Sequence, residues 1–234
     1  MKAVKVDKAT RTARVEPGAT LGDVDRETQV HGLATPTGIN STTGIAGLTL
    51  GGGFGWLSRR LGLTIDNLIS ADVVTAPGTL VKASDTENPD LFWAIRGGGG
   101  NFGVVTSFEF RLHPVGPEVL SGLIVHPIDA ARDVLRFYRD FLEKTPEEFV
   151  CWFVLRKAPP LPFLAPEWHG KEILALAVCY SGAIAEGETV AKPLRSFGKP
   201  IADVIAPNPF TAWQTILDPL LAPGMRNYWK SHDF

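Results

Sequence analysis

Between Pro36 and Gly47 the chain reads Pro-Thr-Gly-Ile-Asn-Ser-Thr-Thr-Gly-Ile-Ala-Gly, a run that mixes close-approach glycines with hydroxyl side chains and uncommitted backbone N–H groups. Successive amide donors in a glycine-permitted turn form a concave anion site, and serine and threonine hydroxyls add donors without adding charge. Such a run suits the holding of phosphates or another anion. A tight connection between a strand and a helix would explain one or two of these glycines, but not their continuation through Gly51-Gly52-Gly53-Phe54-Gly55. A second cluster, Gly97 to Gly100 with Gly103 beyond it, contains Gly98-x-Gly100-x-x-Gly103, which matches the dinucleotide fingerprint by letter. That fingerprint needs a strand, a glycine turn and then a helix, so that the pyrophosphate meets a helix N-terminus. Here the pattern puts a helix before the glycines and a strand after them, which argues against a nicotinamide-binding dehydrogenase. No Gly-Lys-Ser/Thr follows either glycine run, which excludes a P-loop.

The elements that must position these runs follow from periodicity. Lys2 to Val6 and Thr12 to Glu16 alternate around a turn-like Asp7-Lys8-Ala9-Thr10 and predict a hairpin. Thr20 is a helix N-cap with Asp23 three residues on, Leu21, Val24 and Thr28 trace one face, and Gly32 is a natural stop. Of the 24 glycines, 14 fall between Gly38 and Gly103, interleaved with Ile45, Leu48, Leu50, Phe54, Trp56, Phe92, Trp93 and Phe102. A flexible linker lacks such apolar residues, so this segment is packed. Within it, Ile69 to Ala76 and Thr79 to Ser84 flank Pro77-Gly78 as a second hairpin, and Asn88-Pro89-Asp90 opens a short helix through Ile95. Val104 to Leu112 alternates as a strand with one wet face.

His113-Pro114-Val115-Gly116-Pro117 stops both ladders and helices, and divides the chain into residues 1–115 and 118–234. Beyond it, Val119 to Val125, Phe149 to Leu155 and Ile173 to Tyr180 read as strands, while Ile128 to Lys144, Ala185 to Ser196 and Phe210 to Leu217 read as helices. Mixed strands and helices of this kind point to an α+β fold. At 44% hydrophobic and 21% charged residues, with a net charge of −2, the chain has a globular composition and no concentrated positive surface for nucleic acid or an anionic membrane. No apolar stretch approaches the ~20 residues that cross a bilayer. Met1 to Asp7 has no signal-peptide core, so the expected location is the cytoplasm. Cys151 and Cys179 lie in apolar runs as core fillers, and the five histidines show no zinc-ligand spacing.

The stretch Gly38 to Leu68, with its Gly-Ile-Asn-Ser-Thr-Thr-Gly-Ile-Ala-Gly-Leu-Thr-Leu-Gly-Gly-Gly-Phe-Gly-Trp core, resembles the FAD-linked oxidases of the vanillyl-alcohol-oxidase and berberine-bridge-enzyme-like superfamily. Asn88-Pro89-Asp90-Leu91-Phe92-Trp93-Ala94-Ile95-Arg96, followed by Gly97 to Val105, is similar to that family's other FAD-contacting stretch. The resemblance implies the C-terminal portion of a PCMH-type FAD-binding domain over residues 1–115. It also implies a partial substrate-binding domain over residues 118–234, an antiparallel sheet with helices on one side. FAD would lie extended, with Pro36, Thr37 and Gly38 and Asn40, Ser41, Thr42, Thr43 and Gly44 beside its ring and pyrophosphate. Gly47, Gly51, Gly52 and Gly53 would admit it to the backbone, and Gly103 and Val104 would line its adenine end.

Two departures from the family accompany the match. Many members attach the flavin to a cysteine where this chain has Asn40, so no cysteinyl bond forms there. The family's upstream glycine-rich loop, often with a flavin-linked histidine, and its C-terminal segment are absent from this sequence, so truncation at both ends is expected. A cradle lacking part of its pyrophosphate loop, and a sheet with exposed edge strands, are the expected consequences. The implied activity is an oxidase that removes a hydride from a C–H next to a hydroxyl or amine of a small-molecule substrate and passes electrons to molecular oxygen. The alternative is an inactive fragment or a binding module without cofactor. No catalytic base is assigned. Tyr228 and Lys230 are titratable candidates, and an amphipathic edge strand accounts for them equally well.

Overall fold

The computed structural model describes residues 1–221 and Gly224; Tyr228 and Lys230 lie outside the described residues. The chain opens with the hairpin β1 (Val4–Asp7) and β2 (Thr12–Val15), then α1 (Leu21–Gln29). As the sequence predicts, Thr20 caps α1: its hydroxyl accepts from the Asp23 N–H, and the Asp23 carboxylate accepts from the Thr20 N–H. Gly32, at φ +63°, turns the chain out of the helix into β3 (Leu33–Ala34). The glycine-rich segment then forms two short helices that alternation and spacing do not reveal, α2 (Ile45–Leu50) and α3 (Ser58–Leu61). The second hairpin, β4 (Leu68–Val74) and β5 (Leu80–Ser84), leads to α4 (Pro89–Ile95), β6 (Val104–Arg111) and β7 (His113–Pro114).

Five of these strands make one antiparallel sheet in the order β1-β2-β6-β4-β5. Leu21 and Val24 of α1, Phe92 and Ile95 of α4, and Phe108 and Phe110 of the central β6 share its core. The wet face expected for β6 is narrower than alternation implies. Ser107 is buried beside a register shift in which β6 carries an extra residue, Thr106, opposite Asp72 and Val73 of β4.

The remainder builds a second antiparallel sheet. Its elements are β8 (Glu118–Pro127), α5 (Ala131–Leu142), β9 (Phe149–Lys157), β10 (Glu172–Tyr180), α6 (Ile184–Ser196), β11 (Ala202–Asp203), β12 (Ala206–Pro209) and α7 (Phe210–Gln214). The order is β11-β8-β10-β9, with β12 also on β8, so β9 is an edge strand. α5 and α6 cover one face, where Leu174, Leu176, Val178 and Tyr180 of β10 meet Val134, Leu135, Tyr138 and Phe141. The opposite face carries Ala177, Cys179, Val150 and Trp152 against Trp56 and Leu57 of the glycine-rich segment and Trp213 of α7. The last helix stops at Gln214 rather than Leu217, and a 3-10 turn, Asp218–Leu221, follows. Both cysteines are buried and free, and burial pushes their thiols well above the usual range, as suits core fillers. Among the described residues no helix is long and apolar enough to cross a membrane, and no cluster of metal ligands occurs.

The two sheets are tied through α3. The Arg59 guanidinium donates to the carbonyls of Leu142 (3.1 Å), Thr145 (3.0 Å) and Phe149 (2.8 Å) and to the Thr145 hydroxyl. It thereby ties the last residue of α5, the turn after it and the first residue of β9 to the glycine-rich segment. Arg60 donates to the Ser181 carbonyl and pairs with Glu148. Arg59→Ala is expected to lower the unfolding free energy by about 1–3 kcal/mol, because three partly buried carbonyls lose a charged donor. Arg14→Ala, which breaks an ion pair with Asp72 more than half exposed on the arginine side, should cost less than about 1 kcal/mol. Chemical denaturation of the two variants checks the ranking.

Candidate functional site

The loop between β3 and α2 is held against α1 and the residues before it by three backbone bonds, Leu21 N–H to the Thr43 carbonyl (2.9 Å), Gly22 N–H to the Ser41 carbonyl (2.9 Å) and Ile45 N–H to the Ala19 carbonyl (3.0 Å). Asn40 shapes its turn, its side-chain oxygen accepting from the Thr42 N–H and hydroxyl, as asparagine does at the head of an Asx turn. These bonds split the sequence-predicted site residues into two sets. Pro36, Thr37, Gly38 and Asn40 are buried, and a Cβ on Gly38 would press on Leu48 and Leu21. Thr42, Gly44 and Gly47 are exposed, and a Cβ on Gly44 or Gly47 would meet nothing within 4 Å. Ser41 and Thr43 lie between these extremes.

The later glycines divide in the same way. Gly51 is exposed, and a Cβ there would meet only the carbonyls of its own helix. Gly52, at φ +113°, is buried with open space ahead of it, whereas Gly53, at φ +77°, is packed on Thr64 and Leu48. Gly55, outside the predicted set, lies against the Thr37 carbonyl so closely that any side chain would collide with it. Gly103, at φ +146°, likewise abuts the Val74 backbone, and Val104 beside it is 69% exposed. The two glycine clusters meet where the Gly97 N–H donates to the Leu50 carbonyl (3.1 Å), and Gly97, Gly99 and Gly100 face open space. An exposed, side-chain-free strip of backbone therefore includes Gly44 and Gly47 at one end of α2 and Gly97, Gly99 and Gly100 at the other, while Gly98 is packed against the Ala94 carbonyl and the Phe102 ring. The first-turn N–H groups of Ala46 and Gly47 have no partner within the helix, and Gly44 provides no side-chain cap. Such a strip fits an extended, anionic cofactor: the glycines leave the room that a flat dinucleotide needs, and the amides point donors at it.

Thr37 faces the other way. Its hydroxyl donates to the Asp25 carboxylate (3.2 Å), and the Gln214 side-chain amide donates to both Asp25 (2.9 Å) and the Thr37 oxygen (2.6 Å). Burial, unrelieved by any cation, pushes the Asp25 carboxyl up to about 7 despite these two donors. Nearby, the Asp218 carboxylate accepts from both the N–H (2.9 Å) and the hydroxyl (2.5 Å) of Ser41. A cleft of about 700 Å³ runs between this loop, α1 and α7, lined by Thr20, Gly22, Ser41 and Thr42 on one side and Pro209, Thr211 and Gln214 on the other. Asp25 was detectable in principle, since positions 21, 24, 25 and 28 share a helical face and all four are buried. Gln214 and Asp218 carry no sequence signal for this contact.

At the seam with the second sheet, Trp56 stacks on Trp152 (centroids 4.2 Å apart) and leans on Trp213 (5.0 Å), while Phe54 stands 6.1 Å from Trp152 and 62% exposed.

Residues 1–84 match the FAD binding domain family. The chain is 39% identical over 232 residues to an FAD-linked oxidoreductase of Dictyostelium discoideum, covering 98% of this chain and 48% of that protein. It is 32% identical over 208 residues to the (R)-6-hydroxynicotine oxidase of Paenarthrobacter nicotinovorans, covering 88% and 43%. Among solved structures, the 6-hydroxy-D-nicotine oxidase of Arthrobacter nicotinovorans superposes with a TM-score of 0.81 at 29% identity, covering 96% of this chain and 48% of that one. The xylooligosaccharide oxidase of Myceliophthora thermophila does so with a TM-score of 0.74 at 32% identity, covering 93% and 44%. The chain spans about half the length of the curated relatives it matches.

The buried Asp25 sets a pH dependence. Its carboxyl is raised from 3.8 to about 7 in the folded chain, so the folded state holds a proton that the unfolded state has released. The stability this contributes is complete below the unfolded value and is lost as pH rises from about 4 through about 7. Asp25→Asn should abolish that decline, leaving the variant more stable than the parent at pH 8, as followed by denaturant midpoints across pH. A parent whose midpoint is flat over this window contradicts the assignment.

Proposed function

Because the chain belongs to the FAD-linked oxidoreductases, with FAD as the family's cofactor, we propose that it forms part of the cofactor cradle and substrate seam of an FAD-dependent oxidase. Residues 1–115 are its FAD-binding portion and residues 118–234 part of its substrate portion. The observation that carries this reading is the exposed strip of main chain at Gly44, Gly47, Gly97, Gly99 and Gly100, where room for a ligand coincides with the free amides of Ala46 and Gly47. These amides and the Thr42 hydroxyl would hold the pyrophosphate. Pro36 to Asn40 would act from beneath, as the buried support of the same loop. Bound FAD supplies the hydride-accepting and oxygen-reducing chemistry that amino-acid side chains lack.

The remaining tasks fall to the chain's own residues. Phe54 and Trp152, at the seam between the glycine-rich segment and the second sheet, offer apolar walls against which a small-molecule substrate packs and from which water is excluded. The substrate would present a C–H next to a hydroxyl or amine, as the oxidases named above suggest, and molecular oxygen would take the electrons. A base for the hydroxyl or amine proton is not among the residues gathered here.

Gly47→Ala tests the cradle. Gly47 lies inside α2 with nothing near its missing Cβ, so alanine should raise unfolding stability by about 0.5–1 kcal/mol. The same methyl fills the space over the free amides, so FAD affinity should fall about tenfold or more. Titration of the chain with FAD, followed by quenching of flavin fluorescence, reads one effect, and thermal denaturation without FAD reads the other. Undiminished affinity in Gly47→Ala removes the strip from the cofactor site. Folded wild-type protein that stays colourless with excess FAD favours a cofactor-free module.

A further inference from the structure

The loop that carries the cofactor-site residues is gripped by a segment remote in sequence and continuous with the second sheet. Gln214 ends α7, which packs on β8, and Asp218 opens the 3-10 turn behind it. Each reaches back 177 residues, Gln214 to Thr37 and Asp218 to Ser41. The Ser41 contact is two-pronged: one carboxylate oxygen takes the backbone N–H and the other takes the hydroxyl. A carboxylate in that position already uses the donors that a phosphate would need, so Ser41 is committed within the protein. The open donors of the run are further along, at Ala46 and Gly47.

We infer that Asp218, with Gln214, is a positioning residue that fixes the Thr37–Ser41 half of the cofactor loop from the substrate side of the molecule, leaving the Gly44–Gly47 half to meet the cofactor. This rests on the cradle reading above for its functional meaning, although the grip itself does not. Three physical points support it. The Ser41 hydroxyl and N–H are half-buried, where an unpaired donor is costly, and Asp218 gives each of them a charged acceptor. Hydrogen bonds to a carboxylate are roughly twice as strong as neutral ones. The second grip, Gln214 on Thr37 and Asp25, sits four residues from the first in the chain and four from it in the loop, so the two contacts define an orientation and not merely a point.

The test uses the whole chain in four forms: wild type, Asp218→Ala, Ser41→Ala and the double variant. Hydrogen exchange of the peptide containing Ser41 to Gly44 is measured without FAD. Loss of two charge-assisted bonds should speed that exchange by about tenfold in Asp218→Ala, with little further gain in the double variant. Asp203→Ala serves as the comparison, since Asp203 also holds two partners, Arg195 and the Ile205 N–H, but far from the loop. It should leave the loop's exchange unchanged even where global stability falls. With FAD added, Asp218→Ala should bind about tenfold more weakly and alter the visible band of the bound flavin, Asp218→Asn should lie between it and wild type, and Asp203→Ala should match wild type. If Asp218→Ala does not fold, Asp218→Asn carries the exchange measurement with a smaller expected gain. Unchanged loop exchange in a folded Asp218 variant, or additive effects of the two alanines, overturns the inference. A wild-type chain that binds no FAD overturns the cradle reading instead, and the exchange result still decides the grip.

Discussion

Thr37 is the point at which the site is pinned. Its carbonyl lies against Gly55, where no side chain fits, and its hydroxyl lies between Asp25 and Gln214. Backbone crowding fixes one side of the residue and a buried polar cluster fixes the other, so the loop from Pro36 to Gly47 has one way to run over α1. Every further feature depends on that path: the ladder-like bonds of Leu21 and Ile45, the Asx turn at Asn40, and the exposure of Gly44 and Gly47.

The polar cluster is an unusual choice of anchor. A carboxyl without a cation, buried beneath a loop, is a cost that hydrogen bonds only partly offset. An apolar residue at position 25 would extend the face of Leu21 and Val24 and avoid that cost, yet it would offer nothing for Thr37 and Gln214 to grasp. Directional bonds set a loop's orientation where apolar contact sets only its proximity, and a cradle for a flat ligand depends on orientation. The same logic applies to Arg59, whose fork closes the end of α5 and draws the glycine-rich segment onto the second sheet. The aromatic seam of Trp56, Trp152 and Trp213 then has a fixed partner on each side.

The glycines, which the sequence presents as one dense group, do two different kinds of work. Gly55, Gly98 and Gly103 allow main chain to touch main chain, whereas Gly44, Gly47, Gly97, Gly99 and Gly100 leave backbone bare toward the outside. Composition cannot separate these, because both roles ask for the same missing side chain. The distinction rests on what stands opposite each residue, which is a property of the assembled chain.

Period-2 and period-3.6 patterns determined the two hairpins, the capped first helix, the long strands and the amphipathic α5, since each of these expresses a local preference that neighbours in space only reinforce. The density of glycine and hydroxyl residues determined that a packed loop with bare backbone lies between β3 and α2. Tertiary structure decided the rest: the two short helices of the glycine-rich segment, the commitment of Ser41 to Asp218, and the burial that raises the Asp25 carboxyl. These depend on contacts across as many as 189 residues of chain, and no local rule encodes which carboxylate or amide will arrive at the far end. Helix faces, turns and caps are set by residues a few positions apart, whereas a binding site is closed by residues that only the folded chain brings within reach.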